Sequence, residues 1–268
     1  MVKPTGEVPM DWGVGYYERT AEMLLPAADV LVHAAAVRAG ERVVDVGCGT
    51  GNAALLAAAE GADVTAVDPS PRLLAVTSAR AEQHLVDVTC DLGEAASIPA
   101  PDKAFDCVLS NFGVIFAADA HAAVKEMARV LALDGRVALT SWLPGGGLGE
   151  FAKAAQQLLR SAVGAPPAPP GFAWHDESAL AALFLHHGMT TNLEGPHELT
   201  FTATSPEDYL DAEMKSHPMA VTGLEVLRQG GRAEQALEQL LEVLRTHNED
   251  PKAFRSTSRY IVVLARPS

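Results

Sequence analysis

The run Val43-Val44-Asp45-Val46-Gly47-Cys48-Gly49-Thr50-Gly51-Asn52 constrains this chain more than any other stretch. Its first half is short and β-branched, the pattern of a buried strand. Its second half places glycines at 47, 49 and 51, and Ala53 to Glu60 then reads as a helix of alanines and leucines. Strand, glycine turn and helix make a corner suited to a nucleotide. Glycines let a backbone come close to a ligand, and the start of a helix supplies unpaired N–H groups. The spacing narrows the ligand further. A dinucleotide fingerprint, G-x-G-x-x-G, needs its third glycine at position 52, which is Asn; the pattern here is G-x-G-x-G preceded by Asp45.

The next elements follow in βα alternation. Val64-Thr65-Ala66-Val67-Asp68 is a second strand ending in an acid, and Asp68 lies 21 residues after Gly47, the distance at which a βαβ unit presents a carboxylate to a ribose. Ser70 caps a helix with Pro71 at its first position, running toward His84. Val86 to Asp91 alternates as a third strand and leads into Gly93-Glu94-Ala95-Ala96-Ser97-Ile98-Pro99. Ala104 to Gly113 holds the fourth strand and its exit, with Asn111 at the strand's end. Ala118 to Leu131 reads as a helix, Leu133-Asp134-Gly135 as a turn, and Val137 to Trp142 as the fifth strand. Such alternation predicts an α/β fold with a parallel, doubly wound sheet. In such sheets ligands lie beyond the carboxyl ends of the strands, where the strand order reverses.

With these residues the chain resembles the class I S-adenosylmethionine-dependent methyltransferases, whose first motif runs hydrophobic-hydrophobic-D-hydrophobic-G-C-G-T-G. The resemblance has motif support from about residue 40 to 142 and is architectural beyond. It implies a seven-stranded, mostly parallel, Rossmann-like sheet and S-adenosyl-L-methionine as cofactor, with S-adenosyl-L-homocysteine as product. It implies that Asp45, Gly47, Cys48, Gly49, Gly51 and Asn52 form the cofactor loop, and that Asp68, followed by Pro69, meets the ribose. The segment from Gly93 resembles the family's G-D-A-x-x-L-P: Glu94 takes the acid's place at the adenine amine, and Ala95 offers its backbone amide to the ring. Asn111 is placed to meet the cofactor's ammonium through its carbonyl, while its side chain can face substrate. An aromatic residue of the N-terminal arm, Tyr17 or Tyr16, would lie against the methionine end, core packing being the other reading. Arg129-Val130-Leu131 through Gly135-Arg136 matches the family's R-V-L-x-P-G-G-x except that Leu133-Asp134 replaces Pro-Gly. The fourth strand does not end in the N/D-P-P-Y motif of amino-methylating DNA and protein enzymes, which removes that acceptor class.

The expected organisation is one domain over 1–268: a helical arm to residue 40, a cofactor-binding core over 41–142, and a C-terminal part over 143–268 with a helical lid at about 205–254. In the arm, Tyr16 to Arg38 has helical periodicity, and Pro26 predicts a break into two pieces. Residues 1–13, with two prolines and two glycines, should be extended, as should the proline-rich run Ala165 to Gly171. A helix from Phe151 to Val163 precedes that run, and one from Asp176 or Glu177 to His187 follows it. Thr190 to Thr202 and Ser258 to Ala265 supply the last two strands. Between them Leu237, Leu240, Leu241 and Leu244 repeat at helical spacing with glutamates opposite. Arm and lid should cover the acceptor.

Charge decides the class of partner. The 20 Lys and Arg stand against 34 Asp and Glu, a net charge of −14, which repels phosphate backbones and anionic membranes. The expected partner is a small-molecule acceptor, with no nucleic acid and no membrane, for a cytoplasmic monomer or homodimer. Cys48, Cys90 and Cys107 have no metal-ligand spacing and read as small buried residues of a reducing compartment. In-line transfer from a sulfonium needs collinear reactants and a dry pocket, and nothing in it demands a metal. A neutral His would serve as base toward a hydroxyl, yet none of the nine has a motif to recommend it. His217 and His175 read as surface or packing residues, and His186 and His187 as a helix end where positive charge suits the dipole. Trp142 and Trp174 fit either an acceptor pocket or the core. No catalytic residue is assigned. Two other readings stand beside methyl transfer: a nicotinamide-dependent oxidoreductase, against which Asn52 argues, and a non-catalytic cofactor-binding module of the same fold.

Overall fold

The computed structural model describes residues 11–166 and 171–268. The chain before residue 11 and positions 167–170, where extended conformations were expected, lie outside them. The described residues group into two compact units. One comprises Leu24–Leu143, Phe172–His197 and Tyr260–Ser268; the other comprises Met1–Met23, Pro144–Gly171 and Glu198–Arg259, so far as these are described.

The chain enters through α1 (Glu18–Ala35), and the sheet is then built by β1 (Arg42–Val46), α2 (Asn52–Ala59), β2 (Asp63–Asp68), α3 (Pro71–His84), β3 (Val88–Leu92), β4 (Phe105–Ser110), α4 (Ala120–Val130) and β5 (Leu131–Trp142). The last elements are α5 (Gly147–Ala162), α6 (Glu177–His186), β6 (Met189–Ala203), α7 (Pro206–Ser216), α8 (Pro218–Gln229), α9 (Ala233–Thr246) and β7 (Phe254–Pro267). The seven strands lie in the order β3-β2-β1-β4-β5-β7-β6. The first five pair in parallel, and β7 runs antiparallel to β5 from Val137↔Ala265 to Trp142↔Tyr260. This is the mostly parallel, seven-stranded, Rossmann-like sheet expected. Because β1 neighbours both β2 and β4, the order reverses at β1, and the carboxyl ends of β1 and β4 flank the switch point.

The reasons are local. Val43, Val44 and Val46 are fully buried, as a strand covered on both faces requires. The Ser70 hydroxyl accepts from the Leu73 amide at the start of α3, and Asp119 and Asp176 cap α4 and α6 in the same way. The core of this unit packs Val108, Met127, Leu139, Phe184, Ile261 and Val263. Trp174 belongs to it, 5% exposed, with the Phe172 ring edge-on at 5.0 Å. Of the two readings of Trp174, the core holds.

In the other unit α5, α7, α8 and α9 pack together. Leu240 and Leu244 are buried, Leu237 and Leu241 half-buried, and Glu234, Glu238 and Glu242 exposed, as the periodicity predicted.

Two expectations are corrected. Pro26 does not break α1, which is continuous from Glu18 to Ala35. Pro26 and Glu22, whose carbonyl it leaves without an i→i−4 donor, are both exposed, so solvent can satisfy that group. Leu133-Asp134-Gly135 is not a turn before β5 but an irregularity inside it: between Phe105↔Leu131 and Cys107↔Arg136, two steps of β4 face five of β5. Gly135 permits this, since a Cβ there would lie 2.6 Å from Leu131 Cδ1 and 3.0 Å from the Asp106 carbonyl oxygen.

Candidate functional site

The glycine loop joins β1 to α2, and Gly47, Gly49 and Gly51 have φ of 68°, 58° and 84°, a left-handed region that side-chain-bearing residues rarely enter. Its amides donate inward. Gly47 N and Cys48 N donate to the Val67 carbonyl at 2.8 and 3.1 Å, and Gly51 N to the Cys48 carbonyl at 2.9 Å. Gly49 N donates to Asp68 Oδ2 at 2.9 Å. A loop whose amides are taken up in this way is poorly equipped to cradle a diphosphate, which needs N–H groups pointing outward. The expectation that the helix start offers unpaired amides is corrected at one position: Ala54 N donates to Asp45 Oδ2 at 3.0 Å.

Asp45 and Asp68 are the electrostatic centre of this corner. Asp45 is 1% exposed, and its Oδ1 has no hydrogen-bond partner among the described residues. Burial pushes its pKa up to about 7, with the Asp68 charge adding to the rise and the Ala54 bond opposing it. Asp68 is also buried, and burial raises its pKa against the bonds from Ser70 and Gly49. Its Oδ1 accepts from Ser70 N at 2.8 Å, so one carboxylate pins the glycine loop to the start of α3. A carboxylate offers about four acceptor sites, so roughly two remain for a ligand.

The other named positions fall around these. Pro69 is exposed between β2 and α3. Gly93 N donates to the Asp68 carbonyl at 3.2 Å, which brings the segment after β3 to the end of β2; there Glu94 is exposed and Ala95 half-buried. Asn52 is buried at the first position of α2. Cys48 is buried, and its thiol donates to the Gly49 carbonyl at 3.7 Å. Burial raises that thiol's pKa well above the ordinary range, which disfavours the thiolate. Asn111 follows β4, but its Oδ1 accepts from Thr140 Oγ1 at 3.0 Å, which engages that oxygen with β5. Tyr17 lies in the other unit, its ring edge-on to Trp12 and His217, with centroids 6.2 Å away in each case. Tyr16 is 59% exposed, its amide donating to the Ser216 carbonyl. His217 Nδ1 accepts from the Met219 amide, and burial lowers its pKa to about 4, so the ring is neutral.

Sequence reasoning missed the residues that hold the loop from outside. Arg80 Nη1 on α3 reaches the Thr50 carbonyl at 2.6 Å, Thr50 Oγ1 at 3.0 Å and Asn52 Oδ1 at 2.9 Å. Thr77 Oγ1 donates to the Gly49 carbonyl at 3.0 Å. Ser110 Oγ donates to the Val46 carbonyl at 2.7 Å and accepts from Val114 N at 2.9 Å. None sits in a motif; the helical spacing of Thr77 and Arg80, three residues apart on one face, was the available signal. At the ends of β4 and β5, Phe112 has a φ of 57° and stacks on Trp142 with centroids 3.9 Å apart. Tyr260 stands edge-on to both, and His197 lies against Tyr260 at 5.3 Å with its Nε2 buried and without a partner among the described residues.

The site fits the cofactor expected from the first motif. A buried carboxylate oxygen without a partner is costly unless a donor or cation meets it, which is what an ammonium supplies. Asp68 retains acceptor capacity for a diol, and the inward-turned amides suit a ligand that carries no diphosphate. A mostly parallel sheet in this order, with this loop and these two carboxylates at its switch point, is similar to the core of class I methyltransferase domains. In agreement, residues 44–139 match the family described as a methyltransferase domain. An uncharacterized protein of Mycobacterium tuberculosis is 35% identical over 177 residues, 66% of this chain and 64% of that one, so the chain spans just under two thirds of that relative's length. A demethylmenaquinone methyltransferase of Tropheryma whipplei is 36% identical over 101 residues, 38% of this chain and 41% of that one. The structure of the YcgJ protein of Bacillus subtilis superposes with a TM-score of 0.62 at 21% identity, covering 91% of this chain and 99% of that one, a likeness of fold.

Proposed function

We propose that the protein transfers a methyl group from S-adenosyl-L-methionine to an oxygen, nitrogen or carbon atom of a small molecule of secondary metabolism. The observation that carries the reading is the buried Asp45 carboxylate, one oxygen capping α2 and the other without a partner. When bound, the cofactor supplies an electrophilic methyl group on a sulfonium. The chain's own part is to hold and orient. Asp45 would pair with the ammonium, Asp68 would accept from the ribose hydroxyls, and Glu94 and Ala95 would meet the adenine. Trp142 and His197, half-exposed at the ends of β5 and along β6, are the side chains of this unit best suited to meet the acceptor.

The net charge of −14 supports a small acceptor over a polynucleotide, as does the demethylmenaquinone methyltransferase among its relatives. Among the described residues, no helix is long and apolar enough to cross a membrane. The test is calorimetric titration with S-adenosylmethionine and, separately, NAD(H), followed by labelled methyl transfer to a panel of phenols, quinols, amines and carbon acids. Tight NAD(H) binding without S-adenosylmethionine binding would overturn the reading in favour of an oxidoreductase. Tight S-adenosylmethionine binding with no transfer to any member of the panel would favour a cofactor-binding module.

A further inference from the structure

Three imidazoles converge on a place that the glycine loop does not include. His121 lies in the first turn of α4, while His186 and His187 close α6, and the two helices pack together within the sheet-bearing unit. One nitrogen from each ring can be chosen so that all lie within 4.8 Å of one another. The ring centroids of His121 are 5.5 Å from His186 and 5.8 Å from His187, and those of His186 and His187 are 5.0 Å apart.

A second observation points to a ligand. His187 Nε2 is buried and has no hydrogen-bond partner among the described residues, although its neighbours His121 and His186 are exposed. A buried ring nitrogen without a partner is costly, and a metal ion satisfies it as well as a donor does. We propose that His121, His186 and His187 form a binding site for one divalent transition metal of the zinc class, bridging α4 and α6 and leaving a coordination position to solvent.

The chemistry follows from the donor set. Three imidazoles with no carboxylate favour zinc, nickel or copper over magnesium or calcium. Zinc–nitrogen bonds of ~2.0–2.1 Å place the nitrogens of a tetrahedral site roughly 3.3 Å apart. From 4.8 Å, two exposed rings can close that gap by side-chain rotation, with the helices in place. The carbonyls at the end of α6 favour a cation there. Lys125, one turn after His121, opposes one. Sequence alone could not reveal it, because His121 is separated from the His186-His187 pair by more than 60 residues and completes the set only in the fold.

The experiment is isothermal titration of the full chain, free of any histidine tag, with zinc chloride, beside thermal unfolding with and without EDTA. Expected are one zinc per chain with a dissociation constant of about 10 μM or below, and a rise in Tm that EDTA removes. His121→Ala and His186→Ala change exposed side chains and so keep the fold. Each should weaken zinc binding by about tenfold or more, one of three ligands being lost, and should abolish the Tm shift. Cobalt(II) should give the visible absorption of a tetrahedral nitrogen site in the wild type only. Binding weaker than about 100 μM, or binding equal in the wild type and both variants, overturns the proposal.

Discussion

Gly47 and Gly113 meet backbone to backbone: a Cβ on Gly113 would lie 2.6 Å from the Gly47 carbonyl oxygen and 2.9 Å from its Cα. The first glycine of the loop is thus needed by the protein's own packing, where the exit of β4 crosses the end of β1. Gly113→Ala should separate the two and destabilise the protein by roughly 1–3 kcal/mol, the scale of overpacking. It should weaken the cofactor as well, because the loop is displaced. Urea unfolding checks the first effect and calorimetry the second; wild-type values in both would mean that the two backbones can part without cost.

Asp45 makes affinity and stability respond oppositely to pH. With a pKa of about 7 in the folded protein, it is protonated below that value, whereas an ammonium needs it ionised. Affinity for S-adenosylmethionine should therefore fall as pH drops below about 7, by at most about tenfold per unit for one proton. For stability the sign is reversed. Between the unfolded pKa of about 4 and the folded value, the native state holds a proton that the unfolded state has released. Stability then falls as pH rises, by at most about 1.4 kcal/mol per unit. Asp45→Asn, whose side-chain oxygen can still accept from Ala54, should raise Tm at pH 8, flatten this slope and weaken the cofactor. A variant less stable than wild type at pH 8 would contradict the account.

Asp68 serves the loop and the ligand together. Asp68→Ala should weaken cofactor binding by roughly 1.5–3 kcal/mol, the scale of losing hydrogen bonds to a charged group. It should also lower Tm, since Gly49 N and Ser70 N lose their acceptor. Calorimetry that returned an unchanged dissociation constant would remove Asp68 from the site.

Arg80 acts through the loop. Arg80→Met preserves most of the aliphatic stem while removing the donor shared by Thr50 and Asn52. The expected result is a dissociation constant raised about five- to twentyfold, or roughly 1–2 kcal/mol. Far-UV circular dichroism should be unchanged. Unaltered affinity would mean that the loop keeps its shape without this anchor.

Much of the fold was legible because the strand signals are local. A β-branched run such as Val43–Val46 with a glycine turn behind it, and a serine before Pro71, declare their structures within a few residues. Pro26 misled because its effect depends on which face of α1 it occupies, and exposure there leaves the freed carbonyl to solvent. Leu133-Asp134-Gly135 misled because a turn signal and a bulge signal are alike until the pairing partner, here Asp106 on β4, is known.

At the site, the sequence by itself determined the loop's glycines, the two carboxylates and their order along the chain, since left-handed backbone and a strand-end acid are written in residue type and spacing. Only the tertiary structure decided where each polar group is directed. Asp45 turns one oxygen to Ala54 and leaves the other without a partner, Asn111 turns to Thr140, Arg80 reaches across from α3, and His121 meets His186 and His187. Apart from Asp45 and Ala54, those pairings join residues far apart in the chain, and the packing of the elements brings them together, which no local pattern records.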